Sequence, residues 1–309
     1  MSRRKVHAVA LAVAIGLGVY AIAAQWGTVH SALHRVGLAA PVLAFAAAMV
    51  GLGASALSWH ALLVDIGESL PRRVALRVFF VAQVGKYLPG GIWPVLSQME
   101  LGHSAGAGRR RVGAVALVVM GVNVTTGLLV AIVCLPFTSA RALERAGWAL
   151  VLLPVGLLLL HPRVLSASVD RGLRLLRRDV LNAQLSWRGV LAATSWSLVM
   201  WVCYGAHLAL LARPLAESGH RLPLLATGGY ALAWVVGFVI VFAPAGVGAR
   251  EGMLVIALAP VMSAGAATAV ALVSRVVMTA GDFAWASLCA PLRAEPVRPE
   301  LSESNTSRG

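Results

Sequence analysis

The sequence predicts an all-α, polytopic membrane helix bundle of about seven to eight spans, with two stretches broken by proline and glycine and a possible internal repeat. Three observations carry that prediction. The chain has 309 residues, of which 59% are apolar and 12% charged, whereas a soluble domain carries about 25% charged residues. Apolar runs of about 18 to 25 residues recur along it, each long enough to cross about 30 Å of hydrocarbon as a helix. No intervening polar stretch exceeds about 30 residues, too few for an independent core. One membrane domain over residues 1–291 and a polar, disordered tail over 292–309 are therefore expected.

The first span is expected at residues 6–24. Arg3, Arg4 and Lys5 precede it, and Ala21-Ile22-Ala23 imitates the cleavage site of a signal peptide. The rest of the chain is equally membranous, so an uncleaved span is expected there. Further spans are expected at 41–63, 112–135, 147–161, 189–212, 224–243 and 265–290. Residues 78–99 and 244–262 are apolar too, but proline and glycine interrupt them. The 163–185 stretch reads as a basic surface helix, with Val169, Leu173 and Leu176 on one side and Arg171, Arg174, Arg177 and Arg178 mostly on the other. It either lies at the headgroup layer, where arginines attract anionic lipid, or serves as a loop that enforces topology.

Loop arginines set the orientation. Clusters at Arg3 to Lys5, at Arg72, Arg73 and Arg77, at Arg109 to Arg111, and from Arg163 to Arg178 are expected in the cytoplasm, with the N-terminus. Loops 25–40, 136–146 and 213–223 are poorer in arginine and are expected outside. Two of the basic clusters flank residues 78–99 on one side, so that segment is expected to enter the membrane and return. Irregular backbone at membrane depth is tolerated only inside protein or against a wet cavity, because lipid satisfies no amide or carbonyl. A re-entrant segment is thereby a candidate site. The same topology explains the formal net charge of +14 more simply than nucleic acid does. Cys134, Cys203 and Cys289 sit in apolar runs without paired spacing, so neither a disulfide framework nor a metal site is implied. No cofactor fingerprint is present, and the histidines lie apart from other ligand types.

The first broken segment runs from Gln83 to Gln98 through Gly85-Lys86-Tyr87-Leu88-Pro89-Gly90-Gly91-Ile92-Trp93-Pro94. Two prolines around a Gly-Gly pair end a regular helix and free backbone groups. Lys86 is one of two lysines in a chain whose other basic residues are arginine. Beside a break, it either snorkels to the interface or meets an anion as a mobile point charge, helped by amides of the following half-helix. The second broken segment is Phe242-Ala243-Pro244-Ala245-Gly246-Val247-Gly248-Ala249-Arg250-Glu251-Gly252. It repeats the order proline, small residue, glycine, branched aliphatic. Two broken segments in corresponding positions of half-repeats 1–161 and 189–291 are the expected sign of a transport site at the repeat interface.

Charges at membrane depth are costly and either pair or line a cavity. Arg250 suits a phosphate in fork geometry, with Glu251 orienting it or carrying a proton; structural pairing to neighbouring helices is the alternative. Arg275 and Asp282 stand two turns apart on one face of the last span, too far for a direct bond. Glu251 is a plausible partner for Arg275, and Lys86 or Arg250 for Asp282; ion pairs that merely lock helices are the other reading. Asn123 and Thr126 in the third span are candidates for interhelical hydrogen bonds.

The paired motifs, Gly85 to Gly91 with Trp93-Pro94 and Pro244 to Glu251, resemble the two signatures of a flippase-like membrane family. That family includes the transmembrane region of lysylphosphatidylglycerol synthase/flippase and stand-alone relatives, and the resemblance spans about residues 5–290. It implies movement of an anionic or polyprenyl-phosphate-linked lipid between leaflets of the cell membrane, with glycosyltransferases or lipid synthases as possible partners. The matching positions are Lys86, Pro89, Gly90, Gly91, Pro244, Gly246, Arg250 and Glu251; Gln98, Arg275 and Asp282 complete the candidate lipid site. The short tail leaves no room for the aminoacyl-transfer domain of fused synthases, so lysyl transfer and enzymatic activity are not expected. Two rivals remain: a non-catalytic accessory subunit of a lipid or glycan synthesis complex, and an intramembrane lipid-phosphate enzyme using Glu251 and Asp282.

Overall fold

A helix that is apolar on every side has no face to turn to water and must pack in a bundle or face lipid. The computed structural model describes residues 37, 39–88, 91–175, 184–217, 221–239 and 248–292. The expected first span, the tail from residue 293, and Pro89, Gly90, Pro244 and Gly246 lie outside the described residues. In chain order the helices are α1 (Ala39–Asp65), α2 (Arg72–Gln83), α3 (Trp93–Ser104), α4 (Arg109–Cys134), α5 (Ala140–Ala146), α6 (Leu153–Leu159), α7 (Pro162–Leu175), α8 (Trp187–Ala212), α9 (Leu222–Val239), α10 (Ala249–Leu258) and α11 (Ala264–Cys289). No strand occurs among the described residues.

Among the described residues six stretches are long and apolar enough to cross a membrane: Ala39–Asp65, Arg109–Thr138, Ala140–Leu159, Trp187–Leu215, Leu222–Val239 and Ala264–Cys289. They coincide with the six expected spans that fall among the described residues. One begins earlier than expected. Ser139 caps α5 by accepting from the Ala142 N–H at 3.0 Å, and a 3₁₀ stretch, Gly147–Leu152, joins α5 to α6. Arg141, Glu144 and Arg145 had disguised that start as a loop. The basic stretch after it is helical over Pro162–Leu175.

The centre of the bundle is the antiparallel pair α1 and α8, whose buried surfaces interlock along their length. Buried Ala44, Ala48, Gly51 and Ser55 recur about one turn apart on α1, and small residues let membrane helices approach closely. Polar side chains then fix the register. Ser58 Oγ donates to the Ala193 carbonyl at 2.9 Å, Ser197 Oγ donates to Asn123 Oδ1 at 2.6 Å, and Trp201 Nε1 donates to Thr126 Oγ1 at 3.0 Å. Asn123 and Thr126 thus bind α4 to α8.

Contacts between loops divide the molecule into two ends. At one end Asp65 accepts from the Ser186 N–H at 2.8 Å, Leu185 N–H donates to Ser166 Oγ at 3.2 Å, and Arg77 Nε donates to the Ala290 carbonyl at 3.1 Å. Glu68 joins the same end, accepting from the Gly108 N–H at 3.1 Å and pairing with Arg111 at 3.3 Å. Here the clusters 72–77, 109–111 and 163–174 gather. At the other end Arg221 donates to the Phe137 carbonyl at 2.7 Å and Glu217 N–H to the Val261 carbonyl at 2.9 Å.

Two helical hairpins, α2–α3 and α9–α10, are therefore each tied at the feet, and their feet lie at opposite ends of the bundle. In the first, α2 and α3 pack on each other and both feet lie at Glu68. In the second, α9 and α10 pack on each other and both feet lie where Glu217 meets Val261. A helix rises about 1.5 Å per residue, so α2 and α10, 12 and 10 residues long, each reach only about halfway through the bundle.

Candidate functional site

The two half-length helices point toward each other from opposite ends, one ending against Asp282 and the other starting against Arg275, and a cavity of about 460 Å³ lies between them. Lys86, Gly91 and Gln98 of the first hairpin, Arg250 of the second, and Arg275 and Asp282 of α11 all stand on its wall. Val84 to Tyr87 continue α2 as a tighter 3₁₀ turn, and Gly91 then takes φ +64°, a conformation that side-chain-bearing residues rarely adopt. Gly248 repeats the device at φ +86° directly before α10.

Ion pairs bind both hairpins to α11. Lys86 Nζ lies 2.6 Å from Asp282 Oδ2, the lysine side chain 31% exposed and the aspartate 2%. Tyr87 OH donates to the same oxygen at 2.7 Å. Asp282 Oδ1 is buried and has no hydrogen-bond partner among the described residues. Seven residues earlier on the same helix, Arg275 Nη1 meets Glu251 Oε1 at 2.5 Å. The other Glu251 oxygen accepts from the Gly248 N–H at 2.6 Å, so this carboxylate both caps α10 and ties it to α11. Arg275 and Asp282 make no direct contact, as their spacing required.

Arg250 is held differently. Its guanidinium donates to the Tyr230 hydroxyl and lies 4.6 Å from the centre of that ring, a cation–π arrangement. Among the described residues it forms no ion pair. The Tyr230 ring packs perpendicular to that of His207, their centres 4.8 Å apart, and His207 Nε2 bonds Ser274 Oγ at 2.8 Å.

Of the residues singled out in the sequence, Lys86, Gly91, Gln98, Arg250, Arg275 and Asp282 converge on one cavity. Glu251 does not stand on its wall; it pairs with Arg275 and caps the start of α10. Gln98 is 2% exposed, with its Oε1 unpartnered among the described residues. The cavity wall runs out onto apolar side chains: Ile92, Leu117 and Val239 line it yet are 59%, 49% and 65% exposed.

The model of the lysylphosphatidylglycerol synthase TM region matches residues 8–286. The chain belongs to that family. It is thereby a multi-pass membrane protein of a lipid-related family. A comparison with curated proteins returns no match. In this member, two site residues were invisible to the sequence reading. Tyr87 adjoins Lys86 in the first motif but reads there as an ordinary aromatic. Tyr230 stands 20 residues before Arg250 on a different helix, and nothing local marks it as the arginine's seat.

Proposed function

We propose that the protein moves an anionic or polyprenyl-phosphate-linked lipid between leaflets, its headgroup passing through the cavity while the acyl chains stay in hydrocarbon. The observation that carries this reading is the convergence of Lys86, Arg250 and Arg275 on one cavity between two broken hairpins. A bare phosphate in hydrocarbon is prohibitive, and cations at half-helix ends replace its water. The exposed apolar lip at Ile92, Leu117 and Val239 gives the chains a lateral exit to lipid. The volume falls in the range of about 300–1,000 Å³ typical of small-molecule sites.

In this proposal the arginine-rich end faces the cytoplasm, the first hairpin is re-entrant from that side, and the halves around α1 and α8 are inverted repeats. Support comes from the mirrored order: α1, a hairpin tied at one end and α4, then α8, a hairpin tied at the other end and α11. Opposed repeats with broken helices at their interface are the architecture on which alternating access operates.

The test is leaflet exchange of fluorescent phosphatidylglycerol in vesicles holding the purified protein. Lys86→Gln and Arg250→Gln are expected to lower the exchange rate by at least about tenfold, since charge-assisted bonds of about 1.5–3 kcal/mol are removed in each. Arg250→Gln should still assemble, and Lys86→Gln, which strips Asp282 of its cation, is read beside its Asp282→Asn double variant. Unchanged exchange in both rejects transport through this cavity and leaves the accessory-subunit reading.

A further inference from the structure

We infer that Asp282 sets the charge of the anion that the cavity accepts, selecting a phosphodiester with one negative charge over a phosphomonoester or diphosphate with two or more. This rests on the reading of the cavity as a headgroup site and adds its selectivity.

The inference follows from how each charge is held. Lys86 is matched by Asp282 and Arg275 by Glu251, while Arg250 rests on a neutral tyrosine. Three cations and two carboxylates leave one positive charge over, and it belongs to Arg250. Among the described residues no other charged side chain stands on the wall, and the gaps at Pro89-Gly90 and 240–247 contain no ionisable residue. Charge left unbalanced in a low-permittivity site is expensive. One bound monoanion brings this site to neutrality; a dianion leaves it negative, and a ligand that took Lys86 from Asp282 would only strip that carboxylate of its cation.

That exchange is opposed by geometry. Asp282 is 2% exposed, and one of its oxygens already lacks a donor. Removing Lys86 would leave Tyr87 as its only partner among the described residues, and a buried carboxylate stripped of its cation is strongly destabilising. Asp282 therefore acts as a resident anion on Lys86 that a singly charged ligand need not displace.

Calorimetric titration of the purified full chain in neutral detergent at pH 8 tests this, with dioctanoyl phosphatidylglycerol as the monoanion and dioctanoyl phosphatidate as the dianion. At that pH a phosphomonoester, whose second pKa is about 6, carries two charges. Wild type is expected to bind the phosphodiester more tightly. Asp282→Asn, with surplus two, should shift the affinity ratio toward phosphatidate by at least about tenfold, because a unit charge at about 4 Å and effective permittivity near 20 outweighs that factor. Lys86→Gln, with surplus zero, should weaken both ligands, and Lys86→Gln with Asp282→Asn, again surplus one, should recover the phosphodiester preference.

An unchanged ratio in Asp282→Asn overturns the inference. If that variant does not survive purification, Lys86→Gln against the double variant decides: recovery supports it and equal loss overturns it. Deacylated glycerophosphoglycerol separates a lipid from a soluble phosphodiester. Binding at least about tenfold weaker than the lipid supports chains held at the apolar lip, and equal binding overturns the lipid assignment. Because the readout is affinity, charge-dependent binding without exchange sinks only the transport proposal, and exchange with binding blind to Asp282 sinks only this one.

Discussion

Tyr230 decides whether Arg250 is held in place while its charge stays available. Its hydroxyl accepts from the guanidinium and its ring lies beneath it, two contacts that orient the side chain without neutralising it. Removing the hydroxyl in Tyr230→Phe leaves a charged donor unsatisfied, at a cost of about 1.5–3 kcal/mol. Tyr230→Leu also loses the ring, worth about 0.5–2 kcal/mol more, so thermal unfolding in detergent should rank wild type above Phe above Leu. Dioctanoyl phosphatidylglycerol should raise the unfolding temperature of Tyr230→Phe by more than that of wild type, because its phosphate supplies the missing acceptor. An equal rise in both would show that Arg250 does not meet the ligand. Lys86, Arg250, Arg275 and Asp282 were legible in the sequence because charge in an apolar run is conspicuous. Tyr230 was not, because a tyrosine in a membrane helix is ordinary until the fold brings a guanidinium to it.

The elements that matter most are the two interruptions, and their chemistry was visible in the chain as proline and glycine clusters. What those clusters left open was where each broken segment begins and ends in space. That depends on tertiary contacts such as Glu68 with Gly108 and Glu217 with Val261, between residues that no local pattern connects. The start of α10 shows how closely the break is specified. Gly248 at φ +86° presents its N–H to Glu251, and Glu251 holds Arg275. Gly248→Ala is expected to destabilise by about 1–2 kcal/mol through left-handed strain alone. Gly252→Ala, one turn later on an exposed face with open space around the new methyl, should stabilise by up to about 1 kcal/mol through helix propensity. Chemical unfolding of both variants compares the two signs. Equal effects would mean that α10 starts elsewhere.

At the scale of the whole molecule, arginine placement and hairpin direction point to the same arrangement from independent evidence. The clusters 72–77, 109–111 and 163–174 were assigned to one side on charge alone, and the fold gathers them at one end through Glu68, Ser166 and Arg77. The sequence left open whether 244–262 returns to the side where α9 ends or passes back across. The bond from Glu217 to Val261 carries it back to the end where α9 began, and α11 then finishes beside α2. If the bundle sits in the membrane as two opposed halves, the feet of the two hairpins must face different compartments. Single cysteines at Ser104, beside the first pair of feet, and at Glu217, beside the second, test that requirement once Cys134, Cys203 and Cys289 are replaced by alanine. Both positions are exposed. A membrane-impermeant maleimide added to sealed right-side-out vesicles should label Glu217→Cys and leave Ser104→Cys unmodified until the vesicles are opened. Labelling of both from one side would place the two hairpins on the same face. The cavity between them would then be reached from a single leaflet, and a headgroup could bind there without being carried across.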